Sequence, residues 1–158
     1  MRLRVTDLPA DRLVAAVSAA FFFSDQRPLQ GPAALLDWRL NGQLTALLRD
    51  GRVEGRPGEH VVVANNGKLR SDWILFAGAG RIAKLDLRKW RELVGNLWGV
   101  CRAAGYDSLA LALEPMEGFD RSQLIALVEE LLGDSVNEPV DCLLSVREPA
   151  ASRIEVVG

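Results

Sequence analysis

This sequence has few histidines and cysteines and a small net charge. Its 158 residues include one histidine and two cysteines, and the formal net charge is -2. A chain so close to neutral lacks the positive field that attracts a polyanion, so we expect no nucleic-acid partner. Cys101 and Cys142 each fall in an apolar pattern, which favours buried reduced thiols in a cytoplasmic protein over a disulfide.

The single histidine, His60, limits the chemistry that the chain can offer. No second histidine stands at the spacing of a zinc-binding H-E-x-x-H motif, and a serine or cysteine triad would need a separate acid to converge on His60. The carboxylates are scattered along the chain and form no visible general acid/base pair. We therefore predict no catalytic residue, no metal ligand and no cofactor.

Long apolar runs are also missing. The apolar stretch at residues 13–23 falls well short of the roughly 20 residues that a membrane span needs. Asp7, Pro9 and Asp11 interrupt its approach from the N-terminus, and no small-residue cleavage site follows it, unlike in a signal peptide. We interpret the stretch as a central strand covered on both faces, and we expect no membrane association.

The chain as a whole alternates between strand-like and helix-like segments. The predicted strands are residues 2–6 at an edge, 13–23, 60–64, 73–77, 108–114, 141–146 and 153–157. The predicted helices are residues 33–49, 87–104 and 121–132. This alternation, with several continuously apolar strands, indicates a single α/β domain over residues 1–158, with a largely buried sheet and helices on both faces.

Capping residues mark the ends of these helices. Gly51 is expected in a left-handed conformation after the first helix, and Asp86 is the expected N-cap of the second. Asp120 and Gln123 have the spacing of a capping box before the third helix.

A glycine motif follows the strand at residues 73–77. Gly78, Gly80 and Ala83 fit G-x-G-x-x-A, a loose form of the dinucleotide-binding fingerprint, with Glu114 as the acid that would bind a ribose. However, the next helix begins only at Leu87, and Glu114 lies beyond the usual interval of about 20 residues. Both features favour a simple glycine turn over a phosphate-binding loop. The candidate ligand-binding residues of the motif are Gly78, Ala79, Gly80, Arg81 and Glu114.

The tryptophans separate into core and surface candidates. Trp90 and Trp98 lie on the apolar stripe of one predicted helix, so core packing is expected for both. Trp38 stands between Asp37 and Arg39 and is the candidate for partial exposure. Trp38 and Arg39 are therefore the candidate interface residues, although the alternative, core packing of Trp38, is favoured.

The order of these segments resembles the N-terminal domain of the leucyl (cytosol) aminopeptidases. The matching features are Pro-Leu-x-Gly at residues 28–31, the glycine-rich approach GRVEGRPGE at 51–59, an apolar strand ending in Gly-x-Gly at 78–80, a helix, and a strand ending at Pro115. Each motif is loose by itself, but their order and spacing persist over residues 13–115. The resemblance therefore covers about two-thirds of the chain.

The resemblance implies a macro-domain-like fold, a three-layer α/β/α sandwich around a mixed, mostly buried sheet. In that family the two-metal site lies in a C-terminal domain with an Asn-Thr-Asp-Ala-Glu-Gly-Arg signature, which this sequence does not contain, so no catalytic residue carries over. We expect a stand-alone, non-catalytic module for interaction, oligomerisation or regulation, with a protein partner or itself. The alternative is a macro-domain-type binder of ADP-ribose or a nucleotide that uses the Gly78–Ala83 loop. Some bacterial aminopeptidases of this family bind DNA, but the mild negative charge argues against that here.

Overall fold

The computed structural model describes residues 2–133 and 140–148, which form one six-stranded sheet with four α-helices around it. The strands are β1 (Arg2–Thr6), β2 (Val17–Phe22), β3 (His60–Ala64), β4 (Trp73–Gly78), β5 (Ser108–Leu113) and β6 (Asp141–Val146). The helices are α1 (Gly31–Arg39), α2 (Gln43–Arg49), α3 (Leu87–Ala103) and α4 (Arg121–Gly133). The predicted strand at residues 153–157 lies outside the described residues.

The sheet is mixed, in the order β1-β6-β5-β2-β4-β3. β3 runs antiparallel to β4, and the other neighbouring strands are parallel. The predicted edge position of β1 and the predicted central strand are both confirmed, although β2 occupies only the second half of residues 13–23. Because five parallel strands point the same way, their carboxyl ends meet at one edge of the sheet, which we call the carboxyl edge.

Two apolar layers sandwich the sheet, as successive side chains of β2 show. Ala19 and Phe21 pack in the layer that contains α3 and α4, whereas Ala20 and Phe22 pack in the layer that contains α1 and α2. A strand with both faces buried has this alternation without any polar side. The α/β/α sandwich is therefore confirmed, together with the core positions of Trp90 and Trp98 and the two buried, free cysteines.

The predicted continuous helix at residues 33–49 is wrong, because the chain forms two helices there. Asn41 and Gly42 adopt φ values of 60° and 75° between α1 and α2, a left-handed conformation that stops a helix. The carboxylate of Asp37, buried in α1, accepts hydrogen bonds from Leu44 N at 2.7 Å and from Thr45 N at 3.3 Å. Asp37 therefore caps α2 from the preceding helix and holds the two helices at an angle.

The other predicted caps are confirmed. Asp86 accepts a hydrogen bond from Lys89 N at 2.7 Å, and Gly51 has a φ of 74° directly after α2. Asp120 and Gln123 form the reciprocal pair of a capping box, with distances of 2.8 and 2.9 Å. These local signals could be predicted because each depends on a few neighbouring residues.

We expect Asp37→Ala to lower the free energy of unfolding by about 2 kcal/mol, because it leaves the buried N–H of Leu44 without an acceptor. The matched control is Asp50→Ala, since Asp50 is exposed at the end of α2, where removing an acid should change stability by less than about 0.5 kcal/mol. Urea unfolding followed by circular dichroism measures both. Equal losses for the two variants would contradict the cap.

Candidate functional site

A cavity of about 580 Å³ opens at the carboxyl edge, beside the ends of β1, β5 and β6. Its walls come from residues 8–10, the first turns of α1, residues 112–114 and residues 145–148. Helix α1 lies in one apolar layer and α4 in the other, so the connections after β2 and β5 leave on opposite faces of the sheet. Ligands in open α/β sheets bind outside such a switch point.

The loop after β1 is hydrogen-bonded to the wall of the cavity. Ser145 Oγ donates a hydrogen bond to the carbonyl of Leu8, which connects this loop to the end of β6. Leu8, Pro9, Leu35 and Trp38 then supply apolar wall. Apolar walls with a few polar groups are typical of a small-molecule site.

Glu114 supplies a half-buried carboxylate to this cavity directly after β5. It makes no hydrogen bond or ion pair with the described residues. A Cβ at Gly31, which has a φ of 64°, would lie 3.1 Å from Glu114 Oε2, so the glycine lets the carboxylate lie against the start of α1. Burial raises the pKa of Glu114, and the charge of Glu148 raises it further.

A smaller cavity of about 40 Å³ continues from the same place toward the core. Gln30, Gly31 and Glu114 line both cavities, and Trp90 lines the inner one. Trp90 is 2% exposed, and its indole Nε1 has no hydrogen-bond acceptor among the described residues. A buried donor and a half-buried acceptor without protein partners therefore line one small space.

Trp38 lies at the rim of the large cavity. Its side chain is 69% exposed, so the alternative of core packing is wrong. The Arg39 guanidinium lies 4.8 Å from the centroid of the Trp38 ring, and Arg39 Nε donates a hydrogen bond to Asp11 at 2.9 Å. The ion pair thus orients the guanidinium that covers one face of the ring. Whether the two residues form an interface stays a prediction.

The glycine loop after β4 is engaged in backbone bonds. Gly78 N donates to Glu59 O at 2.8 Å, Ala79 N to Phe22 O at 2.9 Å, and Gly80 N to Gly55 O at 2.7 Å. A phosphate cradle needs backbone N–H groups directed at the ligand. The N–H groups of these three residues are therefore not available to an anion.

The structure also separates the five residues that the motif grouped. Arg81 and Gly80 line a cavity of about 300 Å³ together with Lys84 and Lys89, whereas Glu114 belongs to the other part of the carboxyl edge. Ligand binding by Gly78, Ala79, Gly80 and Arg81 stays a prediction. Glu114 is the motif residue that reaches the 580 Å³ cavity.

The carboxylate of Glu59 has a structural role, which is visible in its hydrogen bonds and its pKa. Burial by itself would raise the pKa of Glu59, but hydrogen bonds from the backbone N–H groups of Arg56, Glu54 and Gly55 lower it below its ordinary value. These bonds fold residues 54–59 into a tight loop. That loop carries the carbonyls that accept from Gly78 and Gly80.

Several cavity residues were not found from the sequence. No sequence motif marks Leu8, Gln30 or Leu35 as binding residues. Arg147 and Glu148 could have been suspected only because they are charged residues directly after a strand. The order of strands in the sheet decides which strand ends meet, and sequence pattern does not reveal it. Among residues 2–133 and 140–148, no three His, Cys, Asp or Glu side chains come together in a way that could hold a metal ion, and no helix there is long and apolar enough to cross a membrane.

The sequence pattern that defines the cytosol aminopeptidase family, N-terminal domain, matches residues 20–135. The chain belongs to this family. The resemblance identified at residues 13–115 is thereby confirmed, and the match also covers α4.

The curated relatives of this domain are much longer proteins. A probable cytosol aminopeptidase from Persephonella marina is 34% identical over 99 residues, which cover 61% of this chain and 19% of the relative. One from Stutzerimonas stutzeri is 27% identical over 95 residues, 59% of this chain and 19% of the relative. The chain thus spans about a fifth of the length of the relatives that it matches.

Solved structures confirm the macro-domain-like fold. A mutant tomato leucine aminopeptidase superposes with a TM-score of 0.69 at 15% identity, covering 97% of this chain and 34% of that one. The macrodomain of Thermus aquaticus DarG gives 0.68 at 14% identity, with 90% and 97% covered. An Oceanobacillus iheyensis macrodomain with ADP gives 0.68 at 10% identity, with 92% and 83% covered.

We expect Gly78→Ala to lower the free energy of unfolding by about 3 kcal/mol or more, because its Cβ would lie 2.1 Å from the carbonyl oxygen of Arg56. Gly99→Ala is the matched control: no atom lies within 4 Å of its Cβ position inside α3, so stability should rise by up to about 1 kcal/mol. Chemical denaturation compares the two. Similar small effects would contradict the close packing of the loop.

We expect an NMR titration to give Glu114 a pKa above the ordinary value for glutamate, and Glu148→Gln to lower it, since one repelling charge is removed. Between the ordinary and the raised pKa the folded chain binds more protons than the unfolded chain. The contribution of Glu114 to the free energy of unfolding is therefore complete at pH values below this window and falls as the pH rises through it.

The control Glu129→Gln removes an exposed acid of α4 and should leave the pKa of Glu114 unchanged. An ordinary or lowered pKa would contradict the burial of Glu114.

Proposed function

We propose that this chain is a non-catalytic binding domain whose ligand occupies the 580 Å³ cavity at the carboxyl edge. The observation that carries the proposal is the combination of apolar walls with a half-buried carboxylate that lies beside the switch point of the sheet and has no partner among the described residues. A carboxylate with a perturbed pKa in a cavity is a typical feature of a functional site.

The family supports a binding role over a catalytic one. The match is to an N-terminal domain, and in the aminopeptidases that the chain resembles the metal site belongs to the C-terminal domain. Peptidase activity is a property of the much longer relatives. A binding role uses only features that the described residues contain.

The ligands to test first follow from the fold. The Oceanobacillus iheyensis macrodomain was solved with ADP, so ADP and ADP-ribose are the first candidates. Our proposal differs from the sequence-based alternative in the position of the ligand. The N–H groups of Gly78, Ala79 and Gly80 donate hydrogen bonds to backbone carbonyls, whereas the Glu114 carboxylate in the cavity has no partner among the described residues.

We expect Ala34→Phe to weaken ligand binding by at least about tenfold, because Ala34 lines the cavity and a phenyl ring there would occupy part of the space that the ligand needs. Calorimetry and thermal shift should first identify binders for the natural chain from ADP, ADP-ribose and a panel of small organic anions, cations and neutral molecules. The control Ala126→Phe adds the same ring to the exposed face of α4 and should leave binding intact. Binders that Ala34→Phe does not weaken, or no binders at all, would contradict the proposal.

A second candidate, the interaction module expected from the sequence, is supported by the exposure of Trp38. Exposed tryptophan and arginine side chains are typical of binding hot spots in protein interfaces. The pairing of Arg39 with Asp11 orders this surface in advance, so less side-chain entropy is lost on association.

For this candidate we expect Trp38→Ala to weaken self-association or the binding of a purified partner by at least about tenfold. Trp73→Ala is the control, because Trp73 is also exposed but opens β4 at the opposite end of the sheet. Light scattering over a range of concentrations measures self-association. A chain that is monomeric throughout, with no partner in a pull-down, would contradict the interaction role.

A further inference from the structure

The charges around the cavity indicate the chemistry of its ligand. Glu114 and Glu148 contribute two carboxylates to the lining, against the single guanidinium of Arg147. Glu148 raises the pKa of Glu114, so each acid disfavours the charge of the other. An anionic group placed beside Glu114 would add a third negative charge. Against it, the described lining contributes the one guanidinium of Arg147, and the Arg39 guanidinium at the rim is already paired with Asp11.

A cationic group would have the opposite effect. It would form a charge-assisted pair with the half-buried carboxylate of Glu114, and hydrogen bonds to ionised groups are roughly twice as strong as those between neutral groups. The start of α1 cannot serve as an anion site in the usual way, because the Glu114 carboxylate already lies against Gly31 there.

The inner cavity joins the large one at Glu114. Trp90 lines this 40 Å³ space together with Glu114, and its Nε1, like that of Trp98 in the core, has no acceptor among the described residues. Because an indole N–H and an ammonium group are both donors, Glu114 is the group of this space that an amine would bind. A water molecule needs about 10–15 Å³, so the space has room for a small polar group. The larger cavity, with Leu35 and Trp38 on its wall, has room for the rest of the molecule.

On the basis of the proposed binding role, we propose that the ligand is an organic amine that places its ammonium group against Glu114 and its apolar body along Leu35 and Trp38. The cavity then recognises the ligand by one ion pair at the inner end and by apolar contact toward the rim. Glu114 is the residue that determines specificity. Trp38 forms part of the apolar wall, and this role does not depend on whether its exposed face also contacts a protein partner.

The test compares three probes that share one apolar body: phenethylamine, phenethyl alcohol and hydrocinnamate. Each is titrated into the full chain, and the N–H correlation spectrum reports both the affinity and the indole signals of Trp90 and Trp38. We expect the amine to bind at least about tenfold more tightly than the alcohol, and the carboxylate to bind most weakly. The two indole signals should shift with the amine.

Glu114→Gln keeps the shape of the side chain and removes its charge. We expect it to reduce the preference for the amine over the alcohol about tenfold, while the spectrum shows an intact fold. Glu129→Gln removes an exposed acid of α4 and should leave the preference unchanged.

Two results would overturn this inference while leaving the proposed function intact. One is equal or tighter binding of the alcohol or the carboxylate, and the other is a preference for the amine that Glu114→Gln does not reduce. Failure of all three probes would also overturn it, but the binding role would then depend on the nucleotide panel and the Ala34→Phe variant. A nucleotide bound in the cavity with no amine binding would thus reject the amine and keep the site.

Discussion

The close approach of two backbone segments at the carboxyl edge determines how the rest of this edge is used. Five parallel strands end there, and their last N–H and C=O groups need partners. At the end of β4 the partners are backbone carbonyls of residues 54–59, and at the end of β2 they are backbone groups of Ala79 and Gly80. Residues 54–59 come so near that a Cβ at Gly78 would overlap the carbonyl of Arg56. This part of the edge is therefore closed by the chain itself. At the ends of β1, β6 and β5 no segment among residues 2–133 and 140–148 crosses in this way, and a cavity remains.

Two glutamates show the difference between the closed part of the carboxyl edge, at β2 and β4, and the open part, at β1, β6 and β5. Glu59 receives three backbone N–H donors and has a lowered pKa, because those bonds favour the charged form. Glu114 receives no donor from the described residues and has a raised pKa, because burial and Glu148 disfavour its charge. The first carboxylate holds a loop together. The second keeps its bonding capacity for a group from outside, which is the physical basis of the binding role proposed here.

Local features of this fold could be predicted from the sequence, and features that depend on distant segments could not. The caps at Asp86 and Asp120 involve neighbours within three residues, and the apolar strands are visible as runs. The break between α1 and α2 was missed, although Asn41 and Gly42 signal a turn, because the apolar spacing continues across it and the decisive cap comes from Asp37. The sequence favoured a simple glycine turn at Gly78, but it could not show the close packing there, because the packing partner, Arg56, lies more than twenty residues away. Of the candidate site, Glu114 was found as a strand-end acid, but its neighbours depend on the order of strands in the sheet.

The central claim is that the open half of the carboxyl edge, and not the glycine loop, takes the ligand. Its most direct test is a crystal structure of the full chain soaked with a mixed library of small organic molecules. The account predicts ligand density between α1 and the ends of β5 and β6, in contact with Glu114. Density confined to the loop at residues 78–84, with none beside Glu114, would contradict it.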